Sequence, residues 1–292
     1  MFSGELVLRP IRNPFQSPKK LAGLGLAFAI FFLAAPVPRA RAADAGHLKV
    51  ALVSDTNSAV PGKPLWVGLH FNLDTGWHIY WINPGDSGEP PRVTWTLPEG
   101  FQAGPIEWPA PKRLGSGSVI DYGYDEPVLL PVEIRTPVNL KPGSRVALSA
   151  NVRWLVCREI CIPGKTDVSL TLPVRGASGA DFSSSHELFQ AARSRVPKPA
   201  PAAWKAQAVS EKGQFVLALQ TGRAFEKDSF FPLDADQIDN SARQGVTTPL
   251  GGMRLTLKKS DQLVKAPALL RGVIELASGE AYEISAPVQS RP

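Results

Sequence analysis

The sequence predicts an all-β protein: two immunoglobulin-like β-sandwich domains joined by a short helix and a Pro-rich linker. Three observations lead there. Proline and glycine are frequent, at 28 and 25 of 292 residues. Helix-period patterning is scarce. Short runs of strand-forming residues recur between turn signals along most of the chain.

The N-terminus comes first. Residues 1–20 carry Arg9, Arg12, Lys19 and Lys20, Leu21 to Val37 is an almost unbroken apolar run, and Ala40-Arg41-Ala42 follows. A positive segment, an apolar segment and an A-x-A site together predict a cleavable secretory signal over residues 1–42. An uncleaved membrane anchor is the alternative. The run falls a little short of the ~20 residues that span a bilayer, and Pro36 and Pro38 interrupt its end, which favours cleavage. The leader also accounts for the charge. The whole chain has a formal net charge of +6, but six of its 32 basic and one of its 26 acidic side chains lie in residues 1–42. The remainder is within one charge of neutral, so no basic stripe survives and nucleic-acid binding is excluded as a function class. About 250 residues remain, enough for two ordinary domains.

The first domain is expected over residues 43–175. His47–Val53 reads as a strand, followed by a turn at Pro61-Gly62. Leu65, Val67, Leu69, Phe71 and Leu73 alternate onto one face. GWHIYWINPGDSGEPP, VTWTLPEG, IEWPAP and DYGYDEPVLLPVEI continue the series, Val146–Val156 alternates again, and Asp167–Leu172 closes it. Seven or eight short strands over roughly 130 residues fit an immunoglobulin-like sandwich or a related Greek-key barrel. Trp77, Tyr80, Trp81, Trp95 and Trp108 read first as core and sheet-face packing. Trp77, His78, Tyr80 and Tyr122 are also candidates to flank a site, His78 and Tyr80 above all because their tips can hydrogen-bond. NPGDSGEPP is loop chemistry, and its length suggests a surface loop beside something.

Both cysteines of the chain, Cys157 and Cys161, fall in VRWLVCREICIPG. Were the segment a continuous strand, four steps of about 3.3 Å would hold their Cα atoms roughly 13 Å apart. A disulfide needs about 4.4–6.8 Å. If the pair bonds, the chain must bend sharply at Arg158–Ile160. The expected order is a strand over Val152–Val156, a tight bend carrying two sulfurs, and a break at Pro163-Gly164. A five-residue ring adds only about 2 kcal/mol in the chain-entropy model, and a chain of this size has core enough to do without it. Spacing alone leaves a redox-active pair and a structural bridge both open. Metal is the third reading, but His47, His70, His78 and His186 show no clustered spacing that would complete a ligand set, so no metal site is expected. Arg158 beside the pair would favour a thiolate, unless it is simply solvated and offset by Glu159.

Residues 176–203 are expected as a linker. Ser184-x-x-Glu187 resembles a capping box, HELFQAARSR reads as a short helix ended by Pro197, and PKPAPAA reads as a semi-rigid spacer. The second domain, over residues 204–292, has strand signals in WKAQAVS, FVLALQ, MRLTLKK, LLRGVIEL and AYEISAPV, with turns at Lys212-Gly213 and Ser278-Gly279-Glu280. A second sandwich is expected, serving partner docking or support of the first domain.

Four ordered stretches carry a family resemblance: GWHIYWINPGDSGEPPRVTWTLPEGF, IEWPAP, DYGYDEPVLLPVEI and WLVCREICIPG. They closely resemble the periplasmic N-terminal domain of DsbD, in the branch that includes the copper-sensitivity suppressor ScsB. The likeness covers most of residues 46–175, and FFPLDADQIDN resembles the segment that follows the cysteine domain in that branch. The resemblance implies an immunoglobulin-like domain whose cysteine pair shuttles electrons without a cofactor. Reducing equivalents would come from a membrane thiol transporter of the DsbD/CcdA type and pass to periplasmic thioredoxin-fold proteins. Full-length relatives continue into a membrane domain and a thioredoxin-like domain, so the donor is expected to be a separate protein. Cys161, with Ile162-Pro163 after it, stands where the family's exchanging cysteine stands, and Cys157 would resolve the mixed disulfide. Two departures are visible. Three residues separate the cysteines where the DsbD prototype has five, which matches the ScsB-like branch. The region KRLGSGSVI, between Pro111 and Asp121, matches the prototype's mobile cap loop without its acidic-aromatic sequence, although Gly115 and Gly117 suit a mobile loop. The processes the family serves include cytochrome c maturation, disulfide isomerisation and copper tolerance. The rival from another class is a two-domain copper-binding or adhesion module with a structural bridge.

Overall fold

The computed structural model describes residues 43–44, 46–115, 117–176, 181–222 and 229–290. The expected secretory signal lies outside them. No helix among the described residues is long and apolar enough to cross a membrane.

The first part of the chain runs through β1 (Ala43–Asp44), β2 (Leu48–Ser54), β3 (Leu65–Leu73), β4 (Ile79–Gly85), β5 (Arg92–Thr96), β6 (Gln102–Ile106), β7 (Lys112–Leu114), β8 (Asp121–Tyr124), β9 (Val128–Arg135), β10 (Arg145–Cys157) and β11 (Cys161–Pro173). These strands make three sheets, ordered β1-β2-β3-β9-β6, β11-β10-β5 and β4-β8-β7. Period-two patterning sets which faces meet. In β3, Leu65, Val67, Leu69, Phe71 and Leu73 are all buried, as the alternation predicts. In β10, Val146, Leu148, Ala150, Val152, Trp154 and Val156 point into the same core. Of the aromatics read as core, Trp77 and Trp81 are buried in this cluster, Trp95 and Trp108 lie half-buried against it, and Tyr80 is buried as well.

The helix α1 (His186–Arg195) forms where HELFQAARSR predicts it and stops before Pro197. Its start differs from expectation. The N-cap is Ser185 and no side chain caps it; Ser183 Oγ accepts from the Ser185 N–H (3.0 Å) and donates to the Ser54 carbonyl. The Ser184–Glu187 capping box does not form: with Ser185 as N-cap, Glu187 falls at the second helical position and not the third. Asp55 fixes the helix, accepting from His186 Nδ1 (2.6 Å) and from Arg193 (2.7 Å).

The chain then enters β12 (Lys198–Pro199), β13 (Lys205–Glu211), β14 (Gln214–Gln220), β15 (Ser229–Pro232), β16 (Gly245–Thr247), β17 (Gly252–Lys258), β18 (Leu269–Glu275) and β19 (Ala281–Ser290). The sequence expects PKPAPAA as a spacer, but Lys198 and Pro199 pair with β19, and the Ala200 N–H reaches the Glu283 carbonyl (3.2 Å). Strand β19 joins two layers, pairing with β18 along Ala281–Pro287 and with β13 along Val288–Ser290. Between the layers, Phe215, Leu217, Leu255 and Leu257 pack with Phe230, Leu270, Ile274 and Ile284. Among the described residues the architecture is all-β and immunoglobulin-like, with one helix.

The two β units are joined by side chains. Phe231, Val273 and Ala281 belong to the first core cluster. Phe231 meets the rings of Tyr122 (5.4 Å) and Trp81 (6.4 Å) edge-on. Asn83 donates to the Pro232 carbonyl (2.8 Å), and Asn240 accepts from the Tyr122 hydroxyl (2.8 Å) and donates to Asp86 (2.8 Å). All these partners but Val273 and Ala281 lie in FFPLDADQIDN or in the first sandwich. Beside Asn240, Lys258 and the hydroxyl and N–H groups of residues 241–242 hold the Asp239 carboxyl down at a pKa of about 2.

Candidate redox site

Strands β10 and β11 form one long hairpin, in register from Arg145–Pro173 to Cys157–Cys161. Its loop is Arg158-Glu159-Ile160, closed by the Arg158 N–H on the Ile160 carbonyl (3.1 Å). The bend predicted at these residues brings the two cysteine Cα atoms to 4.1 Å, and the sulfurs are joined as a disulfide. The predicted break at Pro163-Gly164 does not occur, since β11 runs through both. β11 is an edge strand, where a proline without an N–H is tolerated. Gly164 stands opposite Trp154, and a Cβ there would come within 2.4 Å of the indole. The glycine makes room for an aromatic ring; it does not end the strand.

The two sulfurs are in unequal positions. Cys157 is 2% exposed, whereas Cys161 is exposed. Cys157 is covered by the chain leading into β4: the His78 N–H donates to the Cys157 carbonyl (2.9 Å) and the Cys157 N–H to the His78 carbonyl (3.0 Å). Two residues on, the Tyr80 hydroxyl points at Cys161 Sγ (3.6 Å). A disulfide sulfur carries no proton, so the hydroxyl donates.

Tyr80 is itself fully buried, and its ring lies against Gly88 so closely that a Cβ there would fall 2.0 Å away. The loop bearing Gly88 is pinned just before the glycine. Asp121 accepts from the Ser87 N–H and from its hydroxyl (both 2.9 Å), and Asp86 accepts from the Ile120 N–H (2.7 Å). Burial raises the Tyr80 pKa above the ordinary tyrosine value, so the group remains a protonated donor. Burial also lowers the His78 pKa against the pull of Asp121, and raises that of Asp121 against the hydrogen bonds from Ser87. Both are pushed toward their neutral forms. His78 Nε2 stands 3.9 Å from Asp121 Oδ2 and has no hydrogen-bond partner among the described residues.

The flanking residues predicted from sequence are therefore distributed as follows. Tyr80 meets the exposed sulfur, and His78 backs the buried cysteine through its main chain. Trp77 is buried, stacks on His47 (3.9 Å) and lies beneath the Arg158 guanidinium (5.7 Å). Arg158 also pairs with Glu159 (3.7 Å), which offsets its charge beside the sulfurs. Tyr122 turns to the second β unit, where Asn240 accepts from its hydroxyl. The region KRLGSGSVI contributes β7 and the turn into β8, with Gly115 and Gly117 at positive φ and Ser116 outside the described residues. Asp86, Ser87, Gly88 and Asp121 were not singled out. The one signal for the first three is the unusual length of NPGDSGEPP; Asp121 lies in DYGYDEPVLLPVEI, which reads only as a strand. Among the described residues, no three His, Cys, Asp or Glu side chains gather as a metal site.

Residues 49–173 match the family described as thiol:disulfide interchange protein DsbD, N-terminal. No curated protein sequence matches the chain. Among solved structures, the N-terminal periplasmic domain of ScsB from Proteus mirabilis is similar at 20% identity and a TM-score of 0.60, covering 83% of this chain and 93% of that one. The GAE domain of yeast GGA1 is similar at 12% identity over 45% of this chain and 98% of its own, with a TM-score of 0.26 that carries no weight. The ScsB likeness extends the shared fold beyond the family region into the second β unit. Residues 49–173, with their hairpin-borne cysteine pair, are thus similar to the DsbD N-terminal domain family.

Proposed function

We propose that the protein is a periplasmic thiol–disulfide interchange protein that carries reducing equivalents on Cys157 and Cys161. The observation that carries this reading is the asymmetry of the pair: one sulfur exposed at a hairpin tip under a tyrosine hydroxyl, the other buried behind it. The family match supports the chemistry, and the leader-like residues 1–42 support the compartment.

In the reducing half-cycle, a thiolate of the donor attacks Cys161 Sγ. The Cys157–Cys161 bond breaks, and Cys157 leaves as a thiolate that takes up a proton. The donor's second thiolate then attacks its own sulfur in the mixed disulfide, releasing Cys161 as a thiolate and leaving the donor oxidised by two electrons. In the delivering half-cycle, the Cys161 thiolate attacks a partner's disulfide and expels one partner thiolate. Cys157 then gives up its proton to solvent and attacks Cys161 Sγ as a thiolate, re-forming the ring and releasing the second partner thiolate. Tyr80 stabilises the Cys161 thiolate by donating to it. The family supplies the classes of partner: a separate membrane thiol transporter as donor and periplasmic thioredoxin-fold proteins as acceptors.

Trapping tests the assignment of roles. Cys157→Ala should accumulate a mixed disulfide through Cys161 with an oxidised thioredoxin-fold protein, seen as a reducible band on a non-reducing gel, and Cys161→Ala should not. If only Cys161→Ala traps, the roles are reversed; if neither does, the interchange reading fails.

A further inference from the structure

Residues opposite one another in register share a face of the sheet, and that face repeats every second residue. From the disulfide down the outer face of β10 and β11, the rungs are Cys157–Cys161, Leu155–Pro163 and Arg153–Lys165. Strand β5 extends the third rung, placing Arg92 opposite Arg153. Three cations thus stand in one row across three strands, two rungs below the sulfurs, at about 13 Å along the strands. All three are exposed.

Like charges placed directly opposite repel, and a sheet gains nothing from such a row by itself. Among the described residues the one ion pair made by the row is Arg92 with Glu89 at 3.8 Å, and Asp167 stands one rung further down the same face. The row and the apolar rung above it line a groove of about 590 Å³ whose walls include Glu89, Arg92, Arg153, Leu155, Pro163 and Lys165. Along the groove the order is fixed: exposed sulfur, apolar rung, cationic row with one carboxylate against three positive charges.

We propose that this groove docks an extended segment of the redox partner, in which an apolar residue and then carboxylates follow the reacting cysteine at a separation of about four residues. The occupant is set by charge complementarity and by the rung spacing. The inference rests on the interchange reading of Cys161. An acidic segment seated here would be drawn in by the cationic row and would bring its own sulfur to Cys161, so the row acts on the rate of encounter.

The test uses the reduced full chain and two synthetic peptides, each with one cysteine held as a mixed disulfide with 2-mercaptoethanol. One carries Leu and then two Glu at the stated separation; the other carries Gln for Glu. Attack of the Cys161 thiolate on the peptide sulfur expels mercaptoethanol thiolate, and Cys157 then releases the peptide thiolate as the ring closes. At low salt the Glu peptide should react about five- to tenfold faster. That preference should vanish in the Arg153→Glu, Lys165→Glu double variant and at about 0.5 M salt, while the rate with 2-hydroxyethyl disulfide stays unchanged. Equal rates for the two peptides, or a preference that survives charge reversal, would overturn the proposal. If no disulfide reacts at all, the interchange reading is what fails. The groove is then judged by binding of cysteine-free Glu and Gln peptides: a fivefold preference for Glu that is lost in the double variant upholds it, and equal binding overturns it.

Discussion

Cys157 and Cys161 are the same chemical group in different surroundings. Cys161 is exposed and Cys157 is covered by the His78 main chain, which under the proposed function makes Cys161 the sulfur a partner reaches. The Tyr80 hydroxyl, 3.6 Å from Cys161 Sγ, acts on the charged form. A hydrogen bond to a thiolate lowers the thiol pKa, and removing it raises that pKa. Because burial holds Tyr80 protonated above its usual range, the donor is present throughout the neutral region. Tyr80→Phe should therefore raise the Cys161 pKa by about one unit, equivalent to ~1.4 kcal/mol, read from thiolate absorbance against pH in the reduced protein. An unchanged titration would make Tyr80 a packing residue only. The sequence marks Tyr80 and His78 equally, by their polar tips. What separates them is a contact across 81 residues of chain, which no local spacing encodes.

The β10–β11 hairpin does not depend on its disulfide. Thirteen residues of each strand are paired in register, whereas a five-residue ring contributes only about 2 kcal/mol. Opening the pair, as the proposed function requires, would therefore leave the scaffold in place. Within that scaffold Gly164 is a packing position. Gly164→Ala should lower stability by about 1–3 kcal/mol, because its Cβ would meet the Trp154 indole at 2.4 Å. Urea unfolding measures it, and an unchanged midpoint would show that the indole can move aside at no cost. Pro and Gly read as a break because they are local turn signals. The edge position of β11 and the ring opposite Gly164 belong to the sheet, and a strand's own sequence does not carry them. The capping box fails because the helix starts one residue later than the motif requires, at a point where Ser183, bonded to Ser54 across the fold, accepts from the Ser185 N–H.

At the scale of the molecule, the alternating strands and the cysteine bend were legible in the sequence because period-two patterning and ring geometry are local. The short strands β15 and β16, of four and three residues, were not, since runs so brief carry little pattern. The segment FFPLDADQIDN stood out only by resemblance, and it supplies most of the contacts between the two β units. Through Asn83, Asp86 and Tyr122 it holds the same strands and loop that place Tyr80 over Cys161. In the proposed function the second unit would therefore support the site through these contacts. The central claim is that this assembly presents an exchangeable pair and not an inert staple. Its most direct test is the reduction potential of Cys157–Cys161 in the intact chain, equilibrated against glutathione or dithiothreitol. A value between about −180 and −270 mV, the range of pairs that exchange with partners, is predicted. A value below about −300 mV, where structural disulfides of secreted proteins lie, would contradict the claim.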